Sequence, residues 1–338
     1  MDVMPDAPAI RERLPMVEVP TLALIVVVYA GWLGLTWFHD ALPLWLWLPL
    51  AAWIAAWWGS IQHEILHGHP TRSRVLNTAL GTPPFWLWLP FESYRHSHLV
   101  HHRDERLTDP LDDPESRYWT PEGYRELGPV GRRLVALQAT LAGRLAIGPL
   151  WSIGRFLAEE ARRLIAGDRA AMRVWAWHAV FVALVLGWAI GICGLPLWQY
   201  LLGFVYCGTA LALVRSFAEH KAKEDVAERT AIVEASPVFG LLFLHNNLHV
   251  AHHRWPSLPW YRLPAVYRAH RAALLEANGG LLYRGYGEVF RRFLFTPHDA
   301  PIHPYGRAPG RAAVAEPGAA AGHAPVPGVP EGLDPVHP

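Results

Sequence analysis

Charged side chains are scarce in this sequence of 338 residues. Only 17% of the residues are Asp, Glu, Lys or Arg, whereas 52% are hydrophobic and 17 are tryptophan. A soluble domain usually carries about 25% charged residues. The low charge therefore argues against an ordinary soluble protein, and the formal net charge of +1 gives no reason to expect a nucleic-acid partner.

Cysteine is almost absent as well. Cys193 and Cys207 both lie in apolar surroundings and form no Cys-x-x-Cys pair, so we interpret them as small buried hydrophobic residues. The sequence has neither a Cys-rich rubredoxin or iron–sulfur pattern nor a Gly-rich dinucleotide fingerprint. An enzyme with this sequence that consumes electrons would have to receive them from another protein.

Lysine and arginine are missing from two long stretches. Neither residue occurs between Leu14 and Thr71 or between Val174 and Val214, a pattern typical of segments that cross the hydrocarbon core of a membrane. A crossing helix needs about 20 mostly apolar residues. Four segments meet this requirement, namely Val19–Phe38, Leu42–Ile61, Val174–Cys193 and Leu197–Phe217.

The distribution of basic residues gives these predicted spans a direction. The connections His39–Ala41 and Gly194–Pro196 are short and contain no Lys or Arg, so we expect them on the outer side of the membrane. The N-terminus, the loop Gly68–Arg173 and all residues after Glu219 are then cytoplasmic. The predicted fold is an all-α integral membrane protein with four transmembrane helices and a cytosolic helical cap.

The domain organisation predicted from composition is simple. We expect a cytosolic segment at residues 1–18, one membrane domain at 19–306 and a disordered tail at 307–338, where Ala, Gly and Pro predominate. Within the domain, Gly131–Ile165 combines arginine pairs with apolar residues at helical spacing. This segment predicts either amphipathic helices on the membrane surface or packed cytosolic helices.

Histidines are concentrated in three clusters near the ends of the predicted spans. These clusters are His63-Glu64-Ile65-Leu66-His67, His98-Leu99-Val100-His101-His102 and Asn246-Asn247-Leu248-His249-Val250-Ala251-His252-His253. Spacings of three and four residues bring side chains to one face of a helix. A further histidine, His220, ends the fourth span. The predicted topology brings all of these histidines to the same side of the membrane.

The number of histidines bears on the kind of metal site. Imidazole is a preferred ligand of iron, zinc and copper, and a single zinc ion takes about four ligands. Eight or nine converging histidines therefore indicate two metal ions. A rival interpretation is a membrane zinc metalloprotease that uses His63, His67 and the general base Glu64, but it leaves the other two clusters unexplained. A third interpretation is a membrane metal binder without catalytic activity.

The three clusters, in this order and topology, resemble those of the membrane fatty acid desaturase superfamily, and the third looks most like its bacterial members. That superfamily also contains carotenoid ketolases and hydroxylases and, more distantly, alkane hydroxylases. The resemblance covers roughly Trp58–Pro256. It implies a non-haem centre of two iron ions whose ligands are His63, His67, His98, His101, His102, His220, His249, His252 and His253.

Other polar residues adjoin these implied ligands. Since ligating histidines commonly donate their second N–H to a neighbour, we expect some of these residues to orient imidazoles and the others to be structural. They are Glu64, Glu219, Asn246, Asn247, His69, His96 and His245. The acidic run Asp109–Glu115 is predicted to form a turn-rich loop near the site entrance, with its role left open.

The resemblance also implies a function. The expected enzyme is a desaturase that uses O2 as co-substrate to introduce a double bond into the acyl chain of a fatty acid or lipid. The alternative is a hydroxylase or ketolase that acts on a carotenoid, an alkane or a small metabolite. Each turnover needs two external electrons, so we expect a donor such as ferredoxin with its reductase. The expected location is a bacterial inner membrane, with the active site on the cytoplasmic side.

Overall fold

The computed structural model describes residues 15–305. Most of the predicted segment 1–18 and all of the predicted tail 307–338 lie outside the described residues.

Within residues 15–305, four helices are long and apolar enough to cross a membrane, and we call them the first to fourth span in chain order. They are Val19–Trp37, Leu44–Leu66, Arg169–Ile192 and Leu197–Glu219. The prediction of four spans is thereby confirmed. The second span continues beyond its predicted end to Leu66, and the third begins earlier than predicted, at Arg169.

Proline and glycine mark where the spans begin and end. Pro43 and Pro196 precede the second and fourth spans, at positions where a missing backbone N–H leaves no helical hydrogen bond unmade. Gly68 follows the second span with a φ of 100°, and Gly194 lies in the turn after the third span with a φ of 72°. These left-handed conformations favour glycine, which has no Cβ to clash with the backbone.

The third and fourth spans each contain a π-helical segment, at Gly187–Ile192 and Leu201–Cys207. The α-helices outside the four spans are Arg74–Gly81, Phe91–His101, Pro121–Glu126, Pro129–Gln138, Leu141–Ala146, Gly148–Ile165, Pro237–Leu242, His249–Arg254, Leu263–Ala277 and Tyr286–Phe293. Short 3-10 helices occupy Asp104–Arg106 and Val226–Arg229. Two short strands, Ile232–Val233 and Leu282–Tyr283, pair in parallel. The segment predicted to be amphipathic is helical over most of its length.

Aromatic side chains fill the space between the first and second spans. The rings of Trp32 and Phe85 stack with centroids 4.6 Å apart, and Tyr29 and Trp58 pack edge-on against each other at 5.3 Å. The hydroxyl of Tyr200, on the fourth span, donates to the carbonyl of Phe85 at 3.0 Å. These contacts tie three spans and the loop before the second histidine cluster into one apolar core.

The outward faces of the spans are apolar. Trp177 and Leu184 of the third span are 64% and 63% exposed, and only 17% of the apolar window of that span is buried within the protein. Large apolar side chains are unfavourable in water when they form a continuous exposed surface. A lipid environment around the third span removes this penalty.

The second and fourth spans pack closely at a glycine. A Cβ added at Gly203 would lie 2.3 Å from the indole of Trp47 and 3.1 Å from the Cβ of Ala51. Both neighbours belong to the second span and are fully buried. Gly203 therefore sets the separation of the two spans that lead to histidines at their ends.

We expect Gly203→Leu to destabilise the protein by roughly 1–3 kcal/mol, because the added side chain overpacks the contact with Trp47. The measurement is the midpoint of thermal unfolding in detergent. The matched control is Gly191→Leu in the third span, where no atom lies within 4 Å of an added Cβ. Equal midpoints for the two variants would contradict this view of the packing.

Candidate metal centre

The nine predicted ligands come together in two groups. The first group, which we call cluster A, contains His63, His67, His98, His102 and His252. The second group, cluster B, contains His101, His220, His249 and His253. Within each group, one ring nitrogen of every histidine lies within 4.8 Å of those of all the others.

Helical geometry explains how the ligands divide between the groups. His63 and His67 are one turn apart at the end of the second span, and both belong to cluster A. In the helix Phe91–His101, by contrast, His98 points to cluster A and His101 to cluster B. The helix His249–Arg254 divides its histidines in the same way. Each of these two helices therefore supplies both clusters, which the sequence did not indicate.

The distances between ring nitrogens test whether a metal fits. The Nε2 of His220 lies 2.9 Å from that of His249 and 3.0 Å from that of His101. In cluster A, the Nε2 of His102 lies 3.0 Å from that of His98 and 3.1 Å from that of His252. A neutral imidazole has one N–H, so such crowded nitrogens cannot all be satisfied by hydrogen bonds to one another.

A second observation also favours a bound metal ion. The Nε2 of His67 is buried and has no hydrogen-bond partner among the described residues, which is unfavourable unless the nitrogen binds something else. A cation bound between the converging lone pairs would provide a partner both for the crowded ring nitrogens and for Nε2 of His67. Sets of imidazoles suit iron, zinc and copper, so the residues of both clusters fit a metal ion each.

Burial and charge set the protonation of these side chains. Burial, together with the neighbouring imidazoles, holds the pKa of His102, His249 and His252 well below its usual value. Such histidines are neutral at neutral pH and can donate a lone pair to a metal without first losing a proton. Clusters A and B therefore both contain imidazoles in the protonation state that metal binding requires.

Two carboxylates of the acidic run hold imidazoles of different clusters. The Nδ1 of His98 lies 2.9 Å from Glu115 Oε1, and the Nδ1 of His101 lies 3.0 Å from Asp113 Oδ1. Burial opposes a charge on His101, but Glu115 and Asp113 outweigh it and raise the pKa of His101 to about 9. Both carboxylates leave Nε2 of their histidine directed at its cluster. The role of this loop, left open by the sequence, is thus to contact predicted ligands.

The geometry of the loop explains why its role was missed. Asp113 also accepts from the backbone N–H of Thr108 at 2.8 Å and of Glu115 at 2.9 Å, and these bonds hold the carboxylate that contacts His101. Spacing along an irregular loop has no fixed period. The available signal was the density of acidic residues and prolines directly after the second histidine cluster.

An arginine fixes the same loop to the fourth span. Arg117 donates to the carbonyls of Phe217 at 2.8 Å and His220 at 3.0 Å, and its guanidinium also lies 2.5 Å from Nδ1 of His298. No sequence pattern indicated a role for Arg117. The contact holds the end of the fourth span, and with it the imidazole of His220, against the carboxylate loop.

Two of the residues predicted beside the ligands do contact them. Asn246 Oδ1 accepts from Nδ1 of His249 at 3.0 Å, while its Nδ2 lies 3.3 Å from Nε2 of His63. The carboxylate of Glu219 lies 3.4 Å from the same Nδ1 of His249. Asn246 therefore touches one histidine of each cluster.

The other predicted neighbours have different surroundings. Glu64 accepts from the backbone N–H of Trp260 at 3.1 Å, and His69 pairs with Glu18 at 2.6 Å. The remaining three are placed as follows: the amide of Asn247 donates to the carbonyl of Val233, His96 is exposed, and His245 stacks on Trp260. These contacts tie the surrounding chain together, as expected of structural residues.

Comparison with known proteins places this arrangement in a family. Residues 40–286 match the fatty acid desaturase family, and this range includes all nine histidines. A beta-carotene ketolase of Paracoccus sp. (strain N81106 / MBIC 01143) is 29% identical over 275 residues, which cover 75% of this chain and 95% of the ketolase. The chloroplastic omega-6 fatty acid desaturase of Arabidopsis thaliana is 25% identical over 273 residues, which cover 73% of this chain and 58% of that protein. Since the family match spans well over half of the sequence and contains both clusters, the chain belongs to the fatty acid desaturase family.

Proposed function

We propose that this protein is an O2-dependent desaturase that introduces a double bond into the acyl chain of a fatty acid or lipid at a non-haem di-iron centre. The observation that carries the proposal is the presence of two adjacent histidine clusters at the ends of membrane spans. One iron would be held by His63, His67, His98, His102 and His252, and the other by His101, His220, His249 and His253.

Iron bound in this way would supply the activation of O2 and the removal of hydrogen from an unactivated C–H bond. The chain's own residues prepare the site for it. Buried imidazoles such as His249 and His252 are neutral, and Asp113 and Glu115 fix the rings of His101 and His98. Burial of the ligands also limits the access of water to reactive species.

Desaturation consumes two electrons per O2, and the chain needs a partner to provide them. Its two cysteines are too few for an iron–sulfur cluster, which is commonly held by four thiolates. We infer that a one-electron carrier such as ferredoxin, with its reductase, is the donor. Turnover of the purified protein with NAD(P)H alone would overturn this inference.

The membrane position follows from the same features. Histidines of both clusters lie at the ends of the second and fourth spans, and these ends adjoin the arginine-containing loops. Basic loops face the cytoplasm in the membranes of bacteria. We propose an inner-membrane protein with its active site and cap on the cytoplasmic side, which a lipid substrate reaches from the bilayer.

A ketolase or hydroxylase acting on a carotenoid is the second candidate. One observation favours it: the relative that this chain matches over 95% of its length is a beta-carotene ketolase. The same centre serves both outcomes in principle, because removal of a second hydrogen gives an alkene whereas transfer of oxygen to carbon gives an alcohol.

The geometry favours a desaturase centre over the protease interpretation. The first histidine group does contain His63, Glu64 and His67, as the zinc-protease pattern requires. Cluster A adds His98, His102 and His252 to His63 and His67, whereas a catalytic zinc takes only three protein ligands.

The metal stoichiometry tests the proposed centre. We expect the purified protein to contain about two irons per chain, and His101→Ala to lose the iron of cluster B together with activity. The measurement is iron quantitation by mass spectrometry. His96→Ala is the matched control, because His96 is exposed on the same helix and lies outside both clusters. Full iron content with normal turnover in His101→Ala would refute its assignment as a ligand.

The carboxylate loop makes a second prediction. We expect Asp113→Asn to weaken iron binding by roughly 10–100-fold, because the amide no longer holds the ring of His101 in the charged hydrogen bond. Competition with a chelator measures the affinity. The control is Asp112→Asn, an exposed residue of the same loop. An unchanged affinity in Asp113→Asn would show that this carboxylate does not support a ligand.

The reaction is tested by product analysis. A bacterial host should be grown with the wild-type protein or with the His101→Ala variant, and its fatty acids and pigments compared by mass spectrometry. New double bonds that require intact His101 support the desaturase. New keto or hydroxyl groups on a carotenoid in a pigment-producing host select the second candidate instead.

A further inference from the structure

A buried arginine lies at the end of the fourth span, close to both clusters. The side chain of Arg215 is only 15% exposed, and its Nε lies 3.0 Å from Oε1 of Glu219. Ionised groups at membrane depth are expensive and are usually functional. An acidic residue that precedes the basic one by a turn suits a helix better than the order found here. Helix stability therefore does not account for this ion pair.

Glu219 connects the arginine to cluster B. Its Oε1, the atom that contacts Arg215, lies 3.4 Å from Nδ1 of His249. The Nε2 of the same imidazole faces His220 at 2.9 Å. A guanidinium, a carboxylate and a predicted metal ligand thus follow one another in direct contact.

Tyr94 connects the arginine to cluster A. The Tyr94 hydroxyl and the Arg215 guanidinium interact electrostatically, and the Tyr94 ring lies 5.7 Å from that of His98. Arg215 therefore lies near His98 of cluster A, through Tyr94, as well as near His249 of cluster B, through Glu219.

A fixed positive charge beside a metal centre affects its redox equilibrium. Each electron delivered by an external one-electron carrier lowers the positive charge of the centre by one unit. A nearby cation disfavours the more positive, oxidised state, and a nearby carboxylate disfavours the reduced state. Both effects are strengthened in buried surroundings, where the effective dielectric constant is low.

We propose that Arg215 is a positioning residue that, with Glu219, sets the reduction potential of the di-iron centre. This inference rests on the proposed function, since it requires iron in both clusters. Arg215 raises the potential so that a weak biological reductant can reduce the centre. Glu219, whose Oε1 lies 3.4 Å from Nδ1 of His249, opposes the arginine.

The test is a spectroelectrochemical titration of the full-length, iron-loaded protein in detergent. We expect Arg215→Gln to lower the ratio of reduced to oxidised centre at a fixed potential by at least about tenfold, which corresponds to ~59 mV for a one-electron couple. Glu219→Gln should shift the potential in the opposite direction. The double variant should lie between the two single variants, because both charges are removed together.

Controls separate charge from structure. Arg215→Lys keeps the positive charge, so its reduction potential should lie near that of the wild type. If the guanidinium had only a structural role, Arg215→Lys would change the potential as much as Arg215→Gln does. Arg173→Gln removes an exposed arginine of the third span and should leave the potential unchanged. Iron content is measured for every variant, so that a shift is compared only between fully loaded proteins.

The outcomes are distinguishable. Equal potentials in the wild type, Arg215→Gln and Glu219→Gln would overturn the inference while leaving the di-iron centre intact. If Arg215→Gln fails to retain iron, the reduction potential of Glu219→Gln decides. A potential above that of the wild type supports the inference, and any other result overturns it. A wild-type protein that binds no redox-active iron would overturn the proposed function itself.

Discussion

Neutral imidazole nitrogens that face one another at about 3 Å repel unless a proton or a cation lies between them. Six of the nine histidines have ring nitrogens this close to one another, all nine converge in two clusters, and the rest of the fold serves to keep them there. Four separate stretches of chain deliver them: the second span, the helix Phe91–His101, the end of the fourth span and the helix His249–Arg254. The close contact of Gly203 with Trp47 fixes two of these stretches relative to each other.

Much of this arrangement could be predicted from the sequence, because it depends on periodic signals. Apolar runs of sufficient length identified four spans, and histidine spacing identified the residues that converge. The predicted end of the second span was less accurate. Apolar character fades after Ile61, but the helix continues to Leu66, since hydropathy records where a chain leaves lipid and not where its backbone hydrogen bonds stop.

The parts that escaped prediction depend on contacts between distant segments. Asp113 and Glu115 reach His101 and His98 through a loop without periodicity. Arg117 donates to backbone carbonyls at the end of a span about a hundred residues away. Because every residue has a backbone carbonyl, the sequence does not show which one a side chain will contact. The second and third histidine groups each contribute to both clusters. Predicting this would have required the orientation of each helix, which the spacing of the histidines does not determine.

That division couples the two candidate metal positions mechanically. The helices Phe91–His101 and His249–Arg254 each carry ligands for both clusters, so a small rotation of either helix displaces donors at both positions together. Filling one position would immobilise helices that the other position also uses, and this lowers the entropy lost when the second ion enters. The expected behaviour is cooperative loading, in which chains with both ions or neither outnumber chains with one.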